Sequence, residues 1–575
     1  MACGYGNGRV DRQGEVTVKT VKKKRSLGSR SLGGGGGREQ SPQRPKHVEK
    51  KPPCRHTCPS GNYIREFLTT IAQAEHQGRS PDDALTRAWE IYTDTSPFPA
   101  VCGRVCPAPC ETECNRKELE GAVSINKVER AIGDFGIERK LPLRKLTEET
   151  RSQKVAVVGA GPSGLSCAYQ LARRGYAVTV FEALEKPGGM LLWGIPGYRL
   201  PETVLQAEIQ KIVDLGVALK CGVKIGRDIT LRELRASYDA VYVALGAQQG
   251  VTLGVEGEDA PNIFSGVDFL SRFHHGERLE LGKDVVVIIV GGGDTAIDAA
   301  RICRRLGANV TILYRRTRAE MPAIAEEVDE ALKEGIRIEF LAAPVGFRKE
   351  DGRIVAMRAI RMELGEPDAS GRRRPVPIEG SEFEIPASAV ISAISQSPDF
   401  TGFESLIDGK SWITVDEEGA TNTPGIWAGG DVTQLDLVTT AVGHGRRAAE
   451  AIEHQFLGTS REPDRMEVIR PAKMLLDHYA QAARNEPAAL AVEQRLTDVD
   501  REVNLGLAAE QVIEESRRCM SCGFCMDCEK CWMYCQDQAI EKPMQKGVLY
   551  PFKLQNCTGC AKCAEICPCG FIEMA

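Results

Sequence analysis

The chain has 575 residues, of which 42% are hydrophobic and 27% charged, and its formal net charge is -5. That length calls for several domains with ordinary cores, the mild acidity argues against nucleic-acid binding, and no apolar run reaches the roughly eighteen residues of a membrane span. Most of the 21 cysteines fall in short cluster-type spacings, which calls for reduced thiolates and therefore a cytoplasmic location.

Residues 1–50 carry Lys22-Lys23-Lys24-Arg25, glycines from Gly33 to Gly37, and scattered Ser, Gln and Pro. Such a stretch reads as a disordered basic tail, either a solvated extension or a dock for an acidic partner, and it has no apolar segment of the export type. Residues 51–150 read as a helical iron-sulfur domain. Ile64, Phe67, Leu68, Ile71, Leu85, Ala88, Trp89 and Tyr92 keep helical spacing with a break around Gly78 to Pro81. Cys54-x3-Cys58-Pro59 precedes them, and Cys102-x3-Cys106-Pro107-x2-Cys110-x3-Cys114 follows. A structural zinc knot is the alternative, because x3 spacings discriminate less between metals than x2 spacings.

Residues 151–283 open with a β-branched run, Lys154 to Val158, then Gly159-x-Gly161-x-x-Gly164, a helix over 165–174, and a second strand, Val178 to Phe181, that ends in Glu182. Strand, glycines, helix, strand and terminal acid form the dinucleotide fingerprint: the glycines admit the pyrophosphate to the helix N-terminus, and the acid suits ribose hydroxyls. Residues 188–196 are too apolar and glycine-rich for a solvated loop, so Gly189 and Met190 are placed beside a flavin ring.

Residues 284–400 repeat the pattern with Val285 to Val290, Gly291-x-Gly293-x-x-Ala296, a helix over 296–306 and a strand over 310–314. Here the strand ends in Arg315 and Arg316. Guanidinium groups pair with a ribose 2′-phosphate, which favours NADP over NAD; the alternative is that these arginines are surface residues or serve only the pyrophosphate. Residues 401–460 return to the first unit through Gly425 to Asp431 and a helix over 440–456, so the second unit is nested in the first. The fold class is thus multidomain α/β with two nested Rossmann-like domains, FAD first and NAD(P)H second.

Residues 461–517 read as a helical linker. Residues 518–575 hold Cys525-x2-Cys528-x2-Cys531-x3-Cys535 and Cys557-x2-Cys560-x2-Cys563-x3-Cys567-Pro568, the spacing of a two-cluster ferredoxin in which the fourth cysteine of each run serves the other [4Fe-4S] cluster. Cys519, Cys522 and Cys569 are left without a role. Neither His444 nor Asp298 is given a catalytic role, His444 reading as a helix-start packing residue, and Cys167, Cys221 and Cys303 read as core.

Taken in order, the cysteine-rich helical domain, Gly159 to Gly164, Gly188 to Pro196, Gly291 to Asp298, Tyr314 to Arg316, Met321 to Ala323 and Ala428 to Asp431 resemble the small subunit of NADPH-dependent glutamate synthase and its relatives. Arg518 to Gly523, Cys535 to Ile540, Phe552-Lys553 and Cys567 to Met574 resemble the DsrL-type iron-sulfur flavoproteins that work with dissimilatory sulfite reductase. The resemblance implies FAD on Gly159, Gly161, Gly164 and Glu182, with Asp431 nearer the ring, and NADP or NAD on Gly291, Gly293, Asp294, Thr295, Arg315 and Arg316. Relatives place a Cys-x-x-Cys ahead of Cys54 where this chain has Lys51-Pro52-Pro53. One N-terminal cluster is then expected on Cys58, Cys106, Cys110 and Glu129, and Cys54, Cys102 and Cys114 are left for a second, weaker site.

The expected function is an NAD(P)H:acceptor oxidoreductase with no catalytic side chain, since hydride transfer to a flavin needs alignment rather than an acid or base. Electrons would pass between NAD(P)H, FAD, the clusters and a redox partner protein, dissimilatory sulfite reductase in sulfur metabolism. Two other readings are an electron-input subunit of glutamate synthase or of a ferredoxin-dependent oxidoreductase, and a non-catalytic iron-sulfur scaffold or redox sensor. A homodimer is an open alternative for the chain's own assembly.

Overall fold

The computed structural model describes residues 41–277, 282–368, 371–407, 409 and 411–575. Prolines open the first turns of Pro53–Thr57, Pro81–Thr93, Pro99–Val105 and Pro109–Thr112, where their missing N–H groups cost nothing. With Ile64–Ala72 and Ile125–Glu138 these helices bury Phe67, Trp89, Tyr92, Val128 and Ile132 in one core.

A five-stranded parallel sheet follows. Lys154–Val158 lies at its centre, with Ala177–Phe181 and Ala218–Lys220 on one side and Ala240–Val243 and Ile426–Ala428 on the other. Its strands Lys154–Val158, Ala240–Val243 and Ile426–Ala428 are almost wholly buried, as apolar runs between helices require, while the edge strand Ala218–Lys220 is largely exposed. The last strand joins only after a whole second sheet has been built, so one unit is inserted into the other.

The inserted sheet is also five-stranded and parallel, in the order Arg337–Phe340, Asn309–Tyr314, Val286–Val290, Ala389–Ser392, Ile263–Ser265. Ile263–Ser265 and the helix Gly266–His274 therefore belong to the second unit, which begins well before residue 284. The sequence conceals this because the edge strand has three residues and lies ahead of the glycine fingerprint. Gln249–Gly250 pairs with Gln396–Ser397 where the chain crosses out and back. An antiparallel meander of Ala342–Glu350, Arg353–Pro367 and Arg373–Pro386 extends this unit.

Two further expectations are corrected. Residues 461–517 are not a helical linker: within them only Val492–Arg495 and Ala509–Arg517 are α-helical. The rest runs as an irregular strap whose carbonyls accept from the helical domain, Ala480 from Arg116 at 2.6 Å and Asn485 from Ser124 at 2.8 Å. Prolines at 463, 471 and 487 interrupt helix formation along it. The tail expectation, for its part, falls mostly on residues 1–40, outside the described residues, and residues 41–50 do not follow it. Pro45–His47 pairs antiparallel with Ile572–Met574, and the Lys50 ammonium is buried against Glu573 at 2.9 Å and the Gly570 carbonyl at 2.7 Å. Among the described residues no helix is long and apolar enough to cross a membrane.

Candidate functional site

The first glycine turn is closed by sterics. A Cβ on Gly164 would stand 2.0 Å from the Gly159 carbonyl oxygen, so the helix Pro162–Ala172 meets the strand end only because that position has no side chain. Gly161 and Gly189 approach each other across the turn. Both Glu182 oxygens accept backbone N–H groups, from Ala160 at 2.7 Å and Leu184 at 2.9 Å, and burial raises its carboxyl above the usual range. Met190 begins the short helix Met190–Trp193, and Trp193 stacks on His275 of the second unit at 4.1 Å. The 188–196 loop thus reaches across to the second unit as well as lining the first.

Asp431 follows the strand Ile426–Ala428, and burial pushes its carboxyl up to about 6. His444 fixes this turn, its Nδ1 accepting the Gly430 N–H at 3.0 Å. Burial and then Arg447 lower the His444 pKa and keep the ring neutral. Asp298 is buried and accepts from Arg199 at 2.7 Å and from the Tyr198 hydroxyl at 3.2 Å, tying the first unit's loop to the second unit's helix Asp294–Arg305.

A cavity of about 590 Å³ opens at the second glycine turn, lined by Gly291, Gly293, Thr295, Arg315, Arg316 and Leu435 among others. Gly291 is required here, with φ +146 and a would-be Cβ 2.3 Å from the Ala393 carbonyl. Asp294 caps from below, accepting the Ile324 N–H at 3.0 Å. The two arginines differ. Arg316 is buried, with its guanidinium on Asp368 at 2.6 Å and the Arg373 carbonyl at 2.7 Å. Arg315 is exposed at the cavity. Leu435 comes from the first unit, four residues past Asp431, so the segment after that unit's last strand reaches the second cavity.

The cysteines gather in four places. Cys58, Cys106, Cys110 and Glu129 face one another: each thiol is raised by burial and then by the Glu129 charge, and burial pushes Glu129 up to about 8. Cys102 stands with this group, raised by burial and then by Cys106 and Glu129; the expectation that it joins Cys54 and Cys114 is overturned, because its helix Pro99–Val105 delivers it beside Cys106. The Cys106 sulfur lies 3.5 Å from the Thr439 hydroxyl, in the first turn of the helix Val438–Leu457. Cys54 and Cys114 line a separate cavity with Cys519 and Cys522.

In the C-terminal module Cys525, Cys528, Cys531 and Cys567 ring one cavity, and Cys535, Cys557, Cys560 and Cys563 ring another. The fourth cysteine of each run crosses to the other cavity. Cys569 lines the first, 3.7 Å from the Cys567 sulfur. All of these thiols are free of disulfides. Among the described residues no group of three or more His, Cys, Asp or Glu is gathered tightly enough for one metal ion; the thiols instead surround spaces, which suits a cubane that takes one thiolate per iron. Cys167 and Cys303 are fully buried, whereas Cys221 is partly exposed after Ala218–Lys220 and is not core.

Comparisons with known proteins fit this layout. The pyridine nucleotide-disulphide oxidoreductase model matches residues 153–445, and that of dihydroprymidine dehydrogenase domain II, 4Fe-4S cluster, matches residues 44–141. The NADPH-Fe(3+) oxidoreductase subunit beta of Geobacter sulfurreducens is 38% identical over 82% of this chain and 75% of its own. The NADP(+)-dependent formate dehydrogenase subunit beta of Moorella thermoacetica is 36% identical over 82% of this chain and 70% of its own. The glutamate synthase [NADPH] small chain of Escherichia coli is 36% identical over 70% of this chain and 88% of its own.

Proposed function

This chain belongs to the pyridine nucleotide-disulphide oxidoreductase family, among the glutamate synthase small chains and related iron-sulfur oxidoreductases, and from that premise we propose that it is an NADPH:acceptor oxidoreductase that passes electrons to a partner protein. The carrying observation is the segment 431–439. Asp431 lies at the first glycine-turn unit, Leu435 lines the second cavity, and Thr439 touches the Cys106 sulfur. A nicotinamide, a flavin and a cluster held at these places would adjoin one another along nine residues.

FAD would sit on Gly159, Gly161, Gly164 and Glu182, and NADPH on Gly291, Gly293, Thr295 and Arg315. When bound, the flavin supplies the conversion of a two-electron hydride into single electrons. The chain's own residues bind and orient. His444 holds the Gly430 turn that leads into Asp431, and the Arg199–Asp298 pair ties the two units together. Electrons would leave through the C-terminal module, where Cys560 is exposed and Met533, Tyr534, Met544 and Leu554 stand open to a partner. The free thiols among the described residues fit a reducing compartment such as the cytoplasm.

For the partner, the motifs of residues 518–574 support dissimilatory sulfite reductase. The second reading, an electron-input subunit of another enzyme complex, is favoured by the named relatives, two of which are beta subunits. Anaerobic addition of NADPH should bleach both the flavin and the cluster absorbance; no bleaching with NADPH or NADH refutes the oxidoreductase assignment. Capture of sulfite reductase subunits on the immobilised chain, against formate dehydrogenase or glutamate synthase subunits, decides the partner.

A further inference from the structure

Sequence spacing alone leaves Cys54 and Cys114 as two thiols without partners and leaves Cys519-x2-Cys522 as an unexplained prefix to the ferredoxin runs. The fold brings these four together. We propose that Cys54, Cys114, Cys519 and Cys522 hold a [4Fe-4S] cluster of their own, built jointly by the N-terminal helical module and the segment that leads into the C-terminal module. The inference rests on the iron-sulfur assignment above and extends it to a site that splits its ligands between the two ends of the chain.

Three observations carry it. The four cysteines line one cavity, closed otherwise by Pro52, Pro53, Leu68, Val123, Ile125 and Met520 among its apolar walls, and all four are free thiols. Their arrangement is held from outside by an extensive bonded frame. Arg518 donates to the Ala122, Gly121 and Ala482 carbonyls at 2.8–3.0 Å and pairs with Glu120 and Glu515, which fixes Cys519 against the N-terminal module. Arg65 donates to the Cys522 carbonyl at 3.1 Å and to the Lys50 carbonyl at 3.0 Å, and Asn115 Nδ2 lies 3.7 Å from the Cys522 sulfur.

The third observation is charge. A cubane with four thiolates is an anion, and a buried anion needs nearby cations. Arg65 and Arg116 line this cavity, Arg518 precedes its Cys519, and all three are nearly fully buried. Arg65 also pairs with Glu49 and Glu66, and Arg116 with Glu120, so the three form a partly compensated cationic frame rather than a set of bare charges. The cavity walls are apolar, and the four thiols, each partly buried, converge on it from two distant segments of the chain.

The consequence is a continuous relay. Cys54 and Cys58 lie on successive turns of one short helical segment, the Cys58 N–H donating to the Cys54 carbonyl at 3.1 Å, so the proposed site adjoins the group beside Thr439. On its other side Cys522 and Cys525 are three residues apart, within about 11 Å even if fully extended. The C-terminal module would therefore be wired to the flavin through a cluster that it helps to build.

The test uses the full-length protein prepared anaerobically. Wild type should carry about sixteen irons and as many labile sulfides per chain, four for each of four clusters; about twelve overturns the proposal, as does one zinc per chain bound in place of the fourth cluster. The Cys519→Ser/Cys522→Ser double variant and the Cys54→Ser variant, altered at opposite ends of the chain, should lose the same signal from the electron paramagnetic resonance spectrum of the reduced protein. Loss of different signals, or of none, overturns it. If a variant does not fold, the wild-type iron and zinc counts still decide. Bleaching of the flavin by NADPH reports on the oxidoreductase assignment separately, so failure of that reading and failure of this site are distinguishable.

Discussion

The two arginines that end the second dinucleotide strand should behave differently on substitution, although sequence treats them alike. Arg315 is exposed at the mouth of the nucleotide cavity, whereas Arg316 is buried and already committed to Asp368 and the Arg373 carbonyl. A hydrogen bond to a charged group contributes about 1.5–3 kcal/mol, and solvent exposure of Arg315 takes the lower end or somewhat less. Near 1.4 kcal/mol, Arg315→Ala should raise the KM for NADPH about tenfold and leave that for NADH within about twofold, since NADH has no 2′-phosphate to lose. Arg316→Ala should instead lower the melting temperature and affect both nucleotides equally, because it removes the buried guanidinium that ties the second unit's strand end to the Arg373 carbonyl and Asp368 of the meander. Steady-state kinetics with both nucleotides and a thermal melt check this. An equal loss for NADPH and NADH in Arg315→Ala, or a selective NADPH loss in Arg316→Ala, would refute the assignment of Arg315 to the 2′-phosphate.

Gly164→Ala places a methyl 2.0 Å from the Gly159 carbonyl; the turn must open at a cost of about 1–3 kcal/mol, and flavin absorbance per chain should fall well below that of wild type. The His444 ring is buried and neutral with its pKa lowered, so the unfolded chain takes up a proton that the folded chain resists: stability is complete above the unfolded value of about 6.5 and is lost as pH falls below it. Flavin release followed by fluorescence should therefore rise on acidification from about pH 6.5, and His444→Asn, which keeps an acceptor for Gly430 without a titrating ring, should flatten that rise. Asp298→Asn removes the carboxylate charge closest to the buried Arg199, whose next ion-pair partner among the described residues is Glu327 at 3.6 Å; the loss should be about 3 kcal/mol in a urea melt, at the low end for a broken buried pair. Cys569→Ala removes a sulfur 3.7 Å from Cys567 and should shift one cluster's midpoint potential without loss of iron, which redox titration against an iron count would register.

Much of this protein is written locally. Gly159 to Glu182 and Gly291 to Arg316 announce two nucleotide units because the turn, the helix N-terminus and the second strand all lie within about thirty residues, the span of one βαβ unit. The tandem Cys-x2-Cys runs announce cluster ligands for the same reason. What was not legible depended on partners far away in the chain. Ile263–Ser265 reads as nothing in particular until Ala389–Ser392 lies beside it, and the strap over 461–517 has composition suited to helix, yet its carbonyls are claimed by Arg116, Ser124 and Arg518 of other segments.

The sequence by itself determined the chemistry on offer: two glycine turns, an arginine at the second, and twenty-one cysteines in spacings that iron favours. Which cysteine stands beside which was decided only by the tertiary structure. Cys102 lies closer in sequence to Cys54 than Cys519 does, but its helix turns it toward Cys106, while the buried frame of Arg65, Arg116 and Arg518 draws Cys519 and Cys522 across the whole length of the chain to Cys54 and Cys114. Spacing sets how a run of residues can present its side chains; only folding, which must pair buried charges and satisfy buried carbonyls, sets which runs meet.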